Sequence, residues 1–342
     1  MNLICKLLRI FDTAIIGAGP VGLFTVFQAG MNELDACLID SLNTVGGQCS
    51  ALYAEKPIYD IPGFHKITAK GLIENLKKQV APFSYETFLD QVCLNLKHQD
   101  GIWQLQSQQQ LILAKTVVIA AGAGSFEVRK PPVAGLSEFE DKTVFYHITE
   151  KAKFKDKTVT IVGGGDSALD WAVLLADGIA KKVHLVHRRD NFRALQKTVS
   201  AMRRLQEQGK INLITPCQLA AVRGKNGYLT HIDVKNMAGE IATIESDFLL
   251  PFFGMTMHIG PINNWGLAIE RNHINVDPAS MQTNLAGVYA VGDICHYPGK
   301  LKFISTGFAE AARAIHTAYD FIHPDENRHF EHSTTKGIPG DG

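Results

Sequence analysis

Two glycine-rich stretches in this 342-residue chain have the spacing of dinucleotide-binding loops. The first is Gly17-Ala18-Gly19-Pro20-Val21-Gly22. It follows the apolar run FDTAII and precedes the helical stretch LFTVFQAGM. In such a loop the first glycine permits a tight turn. The second admits a pyrophosphate to the backbone, and the third lets helix and strand pack closely. The helix N-terminus then offers free N–H groups to the phosphates. The pattern alone is weak, but Asp40 stands at the end of the second strand, Ala36–Ile39. A carboxylate there accepts hydrogen bonds from ribose hydroxyls and repels a 2′-phosphate. The first loop therefore selects an unphosphorylated ribose, as in FAD or NAD.

The second loop, Gly163-Gly164-Gly165-Asp166-Ser167-Ala168, follows TVTIV and has alanine at the third position, which the fingerprint allows. At the far end of its βαβ unit the acid is missing. His187, Arg188 and Arg189 stand there, with Arg193 four residues beyond Arg189. Guanidinium forks match a 2′-phosphate bidentately. A solvated basic turn is the plainer alternative, but its distance from a dinucleotide loop favours NADP(H) over NAD(H).

Three further places carry weaker signals. Val291-Gly292-Asp293 follows an apolar strand, where an aspartate suits the ribityl or pyrophosphate part of a flavin nucleotide. Ser305-Thr306-Gly307 then opens the last long helix, whose N-terminus would stabilise negative charge on a reduced flavin. Gly46-Gly47-Gln48 and Tyr53 follow the first βαβ unit. Gln48 suits the flavin ring edge, and Tyr53 either stacks on the ring or is an ordinary half-buried aromatic. The 13 histidines include His184 and His187, three apart on a predicted strand whose side chains alternate faces. No metal is expected, and no Gly-x-Ser-x-Gly elbow points to hydrolysis.

The elements that must position these residues form the same supersecondary unit twice, which implies an α/β fold of two Rossmann-like domains. The expected division is an FAD domain from 1–124 and 254–342, with an NADP domain, 125–253, inserted between them. The polar tail after residue 322 reads as an extension without its own core. The chain is 46% hydrophobic and 20% charged, with 34 basic and 34 acidic residues. That balance gives no global field to attract nucleic acid or an anionic membrane. No run approaches the roughly 18 apolar residues of a membrane span. Residues 1–10 read as a short leader ahead of the first strand. None of the six cysteines falls at Cys-x-x-Cys spacing, which suits small buried hydrophobes in a reducing cytoplasm.

Several longer stretches resemble the thioredoxin-reductase-like flavoproteins, with domains of the three-layer ββα type. Within them the chain is most similar to the ferredoxin/flavodoxin–NADP reductases of the thioredoxin-reductase type. The stretches are GGQCSALYAEKPIYDIPGF (46–64), GGGDSALDWA (163–172), LVHRRDNFRA (185–194), KLKFISTGFAEA (300–311) and HSTT (332–335). The resemblance implies FAD contacts at Asp40, Gln48, Tyr53, Val92, Phe126, Asp293 and Thr334. It implies Tyr53 on one face of the ring, and His332 of a partner subunit on the other face in a homodimer. Thioredoxin reductases carry a redox Cys-x-x-Cys shortly before the second loop. Here that region reads Phe145-Tyr146-His147-Ile148-Thr149-Glu150-Lys151.

The resemblance therefore implies hydride transfer between NADPH and FAD, then single-electron transfer to ferredoxin or flavodoxin, with no catalytic acid or base. Other acceptors (rubredoxin, a quinone, a thioredoxin-like protein, free flavin) and a flavin-bound redox sensor are the alternatives.

Overall fold

The computed structural model describes residues 9–326 and 332–339, apart from the side chain of Phe126. The expected leader up to residue 8 and the Phe126 contact thus lie outside the described residues. The chain divides into two compact units, Met1–Phe126 with Met257–Gly342, and Glu127–Thr256.

In the first unit the sheet runs Tyr85–Phe88, Ala36–Ile39, Ile10–Ile16, Leu111–Ile119, Ile102–Ser107, Cys93–Gln99. Ile10–Ile16 pairs in parallel with Ala36–Ile39 on one side and Leu111–Ile119 on the other. Both parallel partners are nearly continuous apolar runs, as expected for strands covered on two faces. The nine-residue strand Leu111–Ile119 changes character midway. Its first half alternates in burial and pairs antiparallel with Ile102–Ser107. Its second half is wholly buried and pairs in parallel with Val288–Ala290. Helix Pro20–Met31 packs between helices Ala69–Val80 and Ile304–Ile322. Thr68 caps the first of these two by accepting the Gly71 N–H at 3.1 Å.

The second unit has three layers. Its parallel sheet runs Ile211–Ile214, Lys182–Val186, Thr158–Val162, Phe248–Pro251. Helices Asp166–Ala176 and Gln196–Glu207 pack together over one apolar core with Val159, Ile161 and Leu185. The antiparallel strands Cys217–Lys225, Tyr228–Asn236 and Ile241–Glu245 cover the other core, with Val162, Val186 and Ile232 between the layers. Where a redox disulfide would stand, Phe145 packs edge-on to Phe154 and stacks against Phe248. The next residue, Tyr146, donates its hydroxyl to Glu140 at 2.6 Å.

No helix among the described residues is long and apolar enough to cross a membrane. His184 is buried in its strand beside the Asn212 amide, 2.9 Å from its Nδ1. Burial, helped by Lys182, pushes its pKa down to about 4. The fold thus accepts only the neutral ring, while the unfolded chain protonates it near pH 6.5. Stability is complete above pH 6.5 and falls as the pH drops toward 4, by on the order of 3 kcal/mol. Urea unfolding across that window should show the fall, and His184→Gln should flatten it.

Candidate cofactor sites

The strand Ile10–Ile16 ends and helix Pro20–Met31 begins within four residues. So abrupt a start requires backbone to touch backbone. A methyl group at Gly22 would lie 1.7 Å from the Gly17 carbonyl oxygen. Gly17 itself sits at φ +108, in the left-handed region that favours glycine. At Gly19, by contrast, the space is open, and it faces a cleft of about 420 Å³ lying wholly within the first unit. The helix has Pro20 at its first position, where its lack of an N–H costs nothing. Its next amides have no carbonyl of their own turn to bind.

Asp40 lines the same cleft and is held by the loop it serves. Its Oδ2 accepts the Ala18 N–H at 2.6 Å, and its Oδ1 accepts the Leu42 N–H at 2.8 Å. Burial raises its pKa above the usual carboxylate range, and these backbone bonds pull it back down. Gln48 and Tyr53 come from the short helix Gly47–Ala51 and its exit, and both face the cleft. The Tyr53 hydroxyl lies 3.4 Å from the Cys49 Sγ, and burial drives its pKa up, so the phenol stays protonated. Val92 and Asp293 also line the cleft.

Two expected contacts, Thr306 and Thr334, do not line the cleft of their own chain. The last helix opens at Ile304, two residues earlier than expected, so Phe303 and Ile304 line the cleft and Thr306 does not. Phe303 is extended and takes the capping position, while Ser305 and Thr306 are already helical. His332 and Thr334 are exposed and do not line the cleft of their own chain. Their segment, Ser333–Lys336, is held by a 2.8 Å ion pair between Lys336 and Glu33, at the far end of helix Pro20–Met31. Sequence reasoning missed the wall supplied by His258, Pro261, Ile262 and Trp265. Apart from His258, which ends a strand, its residues are apolar or turn-forming, and none belongs to a motif.

In the second unit, Gly165 caps helix Asp166–Ala176 as Gly19 caps its counterpart. The basic segment is tied directly to this loop. Arg193 N–H donates to the Gly164 carbonyl at 2.7 Å, and Leu195 N–H donates to Asp166 Oδ1 at 2.9 Å. Asp166 thus anchors the segment that carries the arginines. His187 packs its ring against Gly164, where an added methyl would lie 2.3 Å from it, and stacks on Phe192. Its ring supports the loop, while Arg188, Arg189 and Arg193 are exposed. Ser167 and Ala168 lie in the first turn of the helix, with Ala168 buried against the strand.

A family model described as pyridine nucleotide-disulphide oxidoreductase matches residues 11–318. The chain belongs to that family. Among its relatives, the ferredoxin–NADP reductase of Rickettsia akari (strain Hartford) is 50% identical over 95% of this chain and 97% of its own. The ferredoxin–NADP reductase of Paramagnetospirillum magneticum (strain ATCC 700264 / AMB-1) is 49% identical over 96% of this chain and 98% of its own. Among solved structures, the thioredoxin reductase of T. acidophilum aligns with a TM-score of 0.73 at 22% identity, covering 91% of this chain and 98% of its own. That of Lactococcus lactis aligns at 0.71 and 24%, covering 92% and 99%. These last two share the fold of this pyridine nucleotide-disulphide oxidoreductase.

The residues present fit the family's cofactors, FAD and NADP(H). The cleft lies within the roughly 300–1,000 Å³ of small-molecule sites. It has a glycine opening for pyrophosphate and a carboxylate for ribose. Asp40→Ala should lower FAD retention by about tenfold or more, as a lost charge-assisted hydrogen bond implies. Asp40→Asn, which keeps one acceptor oxygen, should lose less. Flavin content after gel filtration measures both.

Proposed function

We propose that this chain is a ferredoxin–NADP reductase, with FAD in the cleft of the first unit and NADP(H) on the glycine loop of the second. Bound FAD supplies the ability to take a hydride and to give up electrons one at a time. The chain's own residues do the rest. Gly17, Gly19, Pro20 and Gly22 seat the pyrophosphate on a helix N-terminus, and Asp40 holds the ribose. Tyr53, kept neutral, offers a flat face to the ring, and Gln48 and Val92 border it. Asp293 orients the ribityl chain. Gly163, Gly165 and Ser167 seat the second pyrophosphate, and Arg188, Arg189 and Arg193 clasp a 2′-phosphate, held in register by Asp166. No side chain needs to move a proton in the hydride step.

The packing of Phe145 carries the reading that electrons pass to a separate carrier. A half-buried aromatic packed against the core stands in the segment where a disulfide relay would need thiols. Two relatives near 50% identity, named ferredoxin–NADP reductases, support ferredoxin or a flavodoxin as that carrier. We further propose a cytoplasmic homodimer in which His332 and Thr334 of one protomer cover the flavin of its partner. The tail supports this, since it sets both residues away from the cleft of their own chain.

NADPH-driven cytochrome c reduction should rise severalfold or more on adding ferredoxin. No stimulation, with full activity toward rubredoxin, a quinone or free flavin, would move the assignment to that acceptor. Bleaching by NADPH without turnover of any acceptor would make the protein a sensor. Replacing Arg188 and Arg189 with Gln should raise KM for NADPH by about tenfold or more and leave that for NADH nearly unchanged, since NADH lacks the charge they meet. Steady-state kinetics with both nucleotides checks this.

A further inference from the structure

Beneath the cleft wall that carries Asp293 lies a buried ionic cluster whose members, Lys300 and Glu310 among them, have been given no role so far. Glu310, on the inner face of helix Ile304–Ile322, is 1% exposed. Its Oε2 accepts the Gly292 N–H at 2.8 Å. Its Oε1 accepts the Tyr297 hydroxyl at 2.6 Å and pairs with the Lys300 ammonium, itself buried. Cys295 completes the cluster. Its Sγ lies 3.2 Å from the Gly292 carbonyl oxygen and 3.6 Å from Oε2. Both backbone polar groups of Gly292 are therefore consumed from below.

One carboxylate thus joins three pieces of chain: the turn Gly292–Ile294, the loop through Tyr297 and Lys300, and the last helix. Two of these pieces present the cleft with opposite contributions, Gly292 and Asp293 from the turn, Phe303 and Ile304 from the helix start. The helix also closes on the turn at Gly307, where an added methyl would meet Val21 at 2.4 Å and the Gly292 Cα at 3.4 Å. A buried carboxylate and ammonium bring little net stability over apolar residues of similar size. Their directional bonds, however, fix geometry that apolar packing does not.

We propose that Glu310 is a positioning residue for the flavin: through Gly292 and Lys300 it sets the Asp293 turn against the N-terminus of the last helix. The proposal rests on the reading that this cleft holds FAD. Neither Glu310 nor Lys300 touches the cleft.

The test is titration of FAD into apoprotein, following the visible absorption of the bound flavin and the melting temperature. Glu310→Gln should weaken FAD binding by about tenfold or more, the loss expected of charge-assisted bonds, and alter the band shape of the bound flavin. That variant leaves Lys300 buried without its counter-charge and is prone to misfolding. The double variant Lys300→Met/Glu310→Met removes both charges and keeps the volume. It should fold and melt somewhat below the wild type, since the Gly292 N–H and the Tyr297 hydroxyl lose their acceptor, and bind FAD about tenfold or more weakly because nothing then holds the Gly292 N–H. FAD affinity and flavin spectrum equal to wild type in the double variant would overturn the proposal, whatever Glu310→Gln does. Wild-type apoprotein that takes up no FAD at all would instead overturn the reading of the cleft, and the proposal with it.

Discussion

The close approach of a helix to the strand that feeds it governs each unit. At Gly22 the helix backbone lies so near the Gly17 carbonyl that no side chain fits between them. In the second unit Ala168 stands at the position of Gly22, and a methyl on Gly163 would lie 2.9 Å from its side chain. This contact puts a helix N-terminus directly at the end of a central parallel strand. Anion affinity is then a property of the backbone, and side chains remain only to decide which nucleotide is taken.

Charges of opposite sign stand at equivalent places, and the segment that carries each is tied to the neighbouring glycine loop. Asp40 is fixed by amides of the first glycine loop and of its own turn. The arginine segment is fixed by the carbonyl of Gly164 and the carboxylate of Asp166. In both cases a short hydrogen bond runs back to the loop. On the proposed reading, discrimination and phosphate binding are thereby coupled.

Much of this was legible in the sequence, because the physics is local. Glycine spacing, the strand before it, and the charge at the end of the next strand lie within about 25 residues of one another, and no long-range knowledge is needed to read them. What stayed hidden depends on distant packing. The start of the last helix was misplaced because Ser305 and Thr306 look like caps. In the fold Phe303 is extended instead, at the lip of the cleft. The loop pattern predicts Asp166 beside the nucleotide, but not that its carboxylate accepts the N–H of Leu195, 29 residues away. The burial of Glu310 is not legible, since a glutamate in an amphipathic helix reads as solvent-facing. Only the turn brought against it by the sheet makes it a buried acceptor.

The lone pairs of Asp40 have one more consequence. Its oxygens take the backbone N–H groups of Ala18 and Leu42, with a further backbone contribution from Ser41, and the carboxylate still lines the cleft. On the proposed reading its remaining acceptor capacity meets the hydroxyls of one ribose. The ribose belongs to the adenosine half of the dinucleotide, the half remote from the redox chemistry. FMN, which carries the same reactive ring but lacks that half, leaves this carboxylate desolvated and unanswered. If Asp40 holds that ribose as proposed, reactivity and retention belong to opposite ends of the cofactor, and the apoprotein is matched to a flavin that has already been adenylylated.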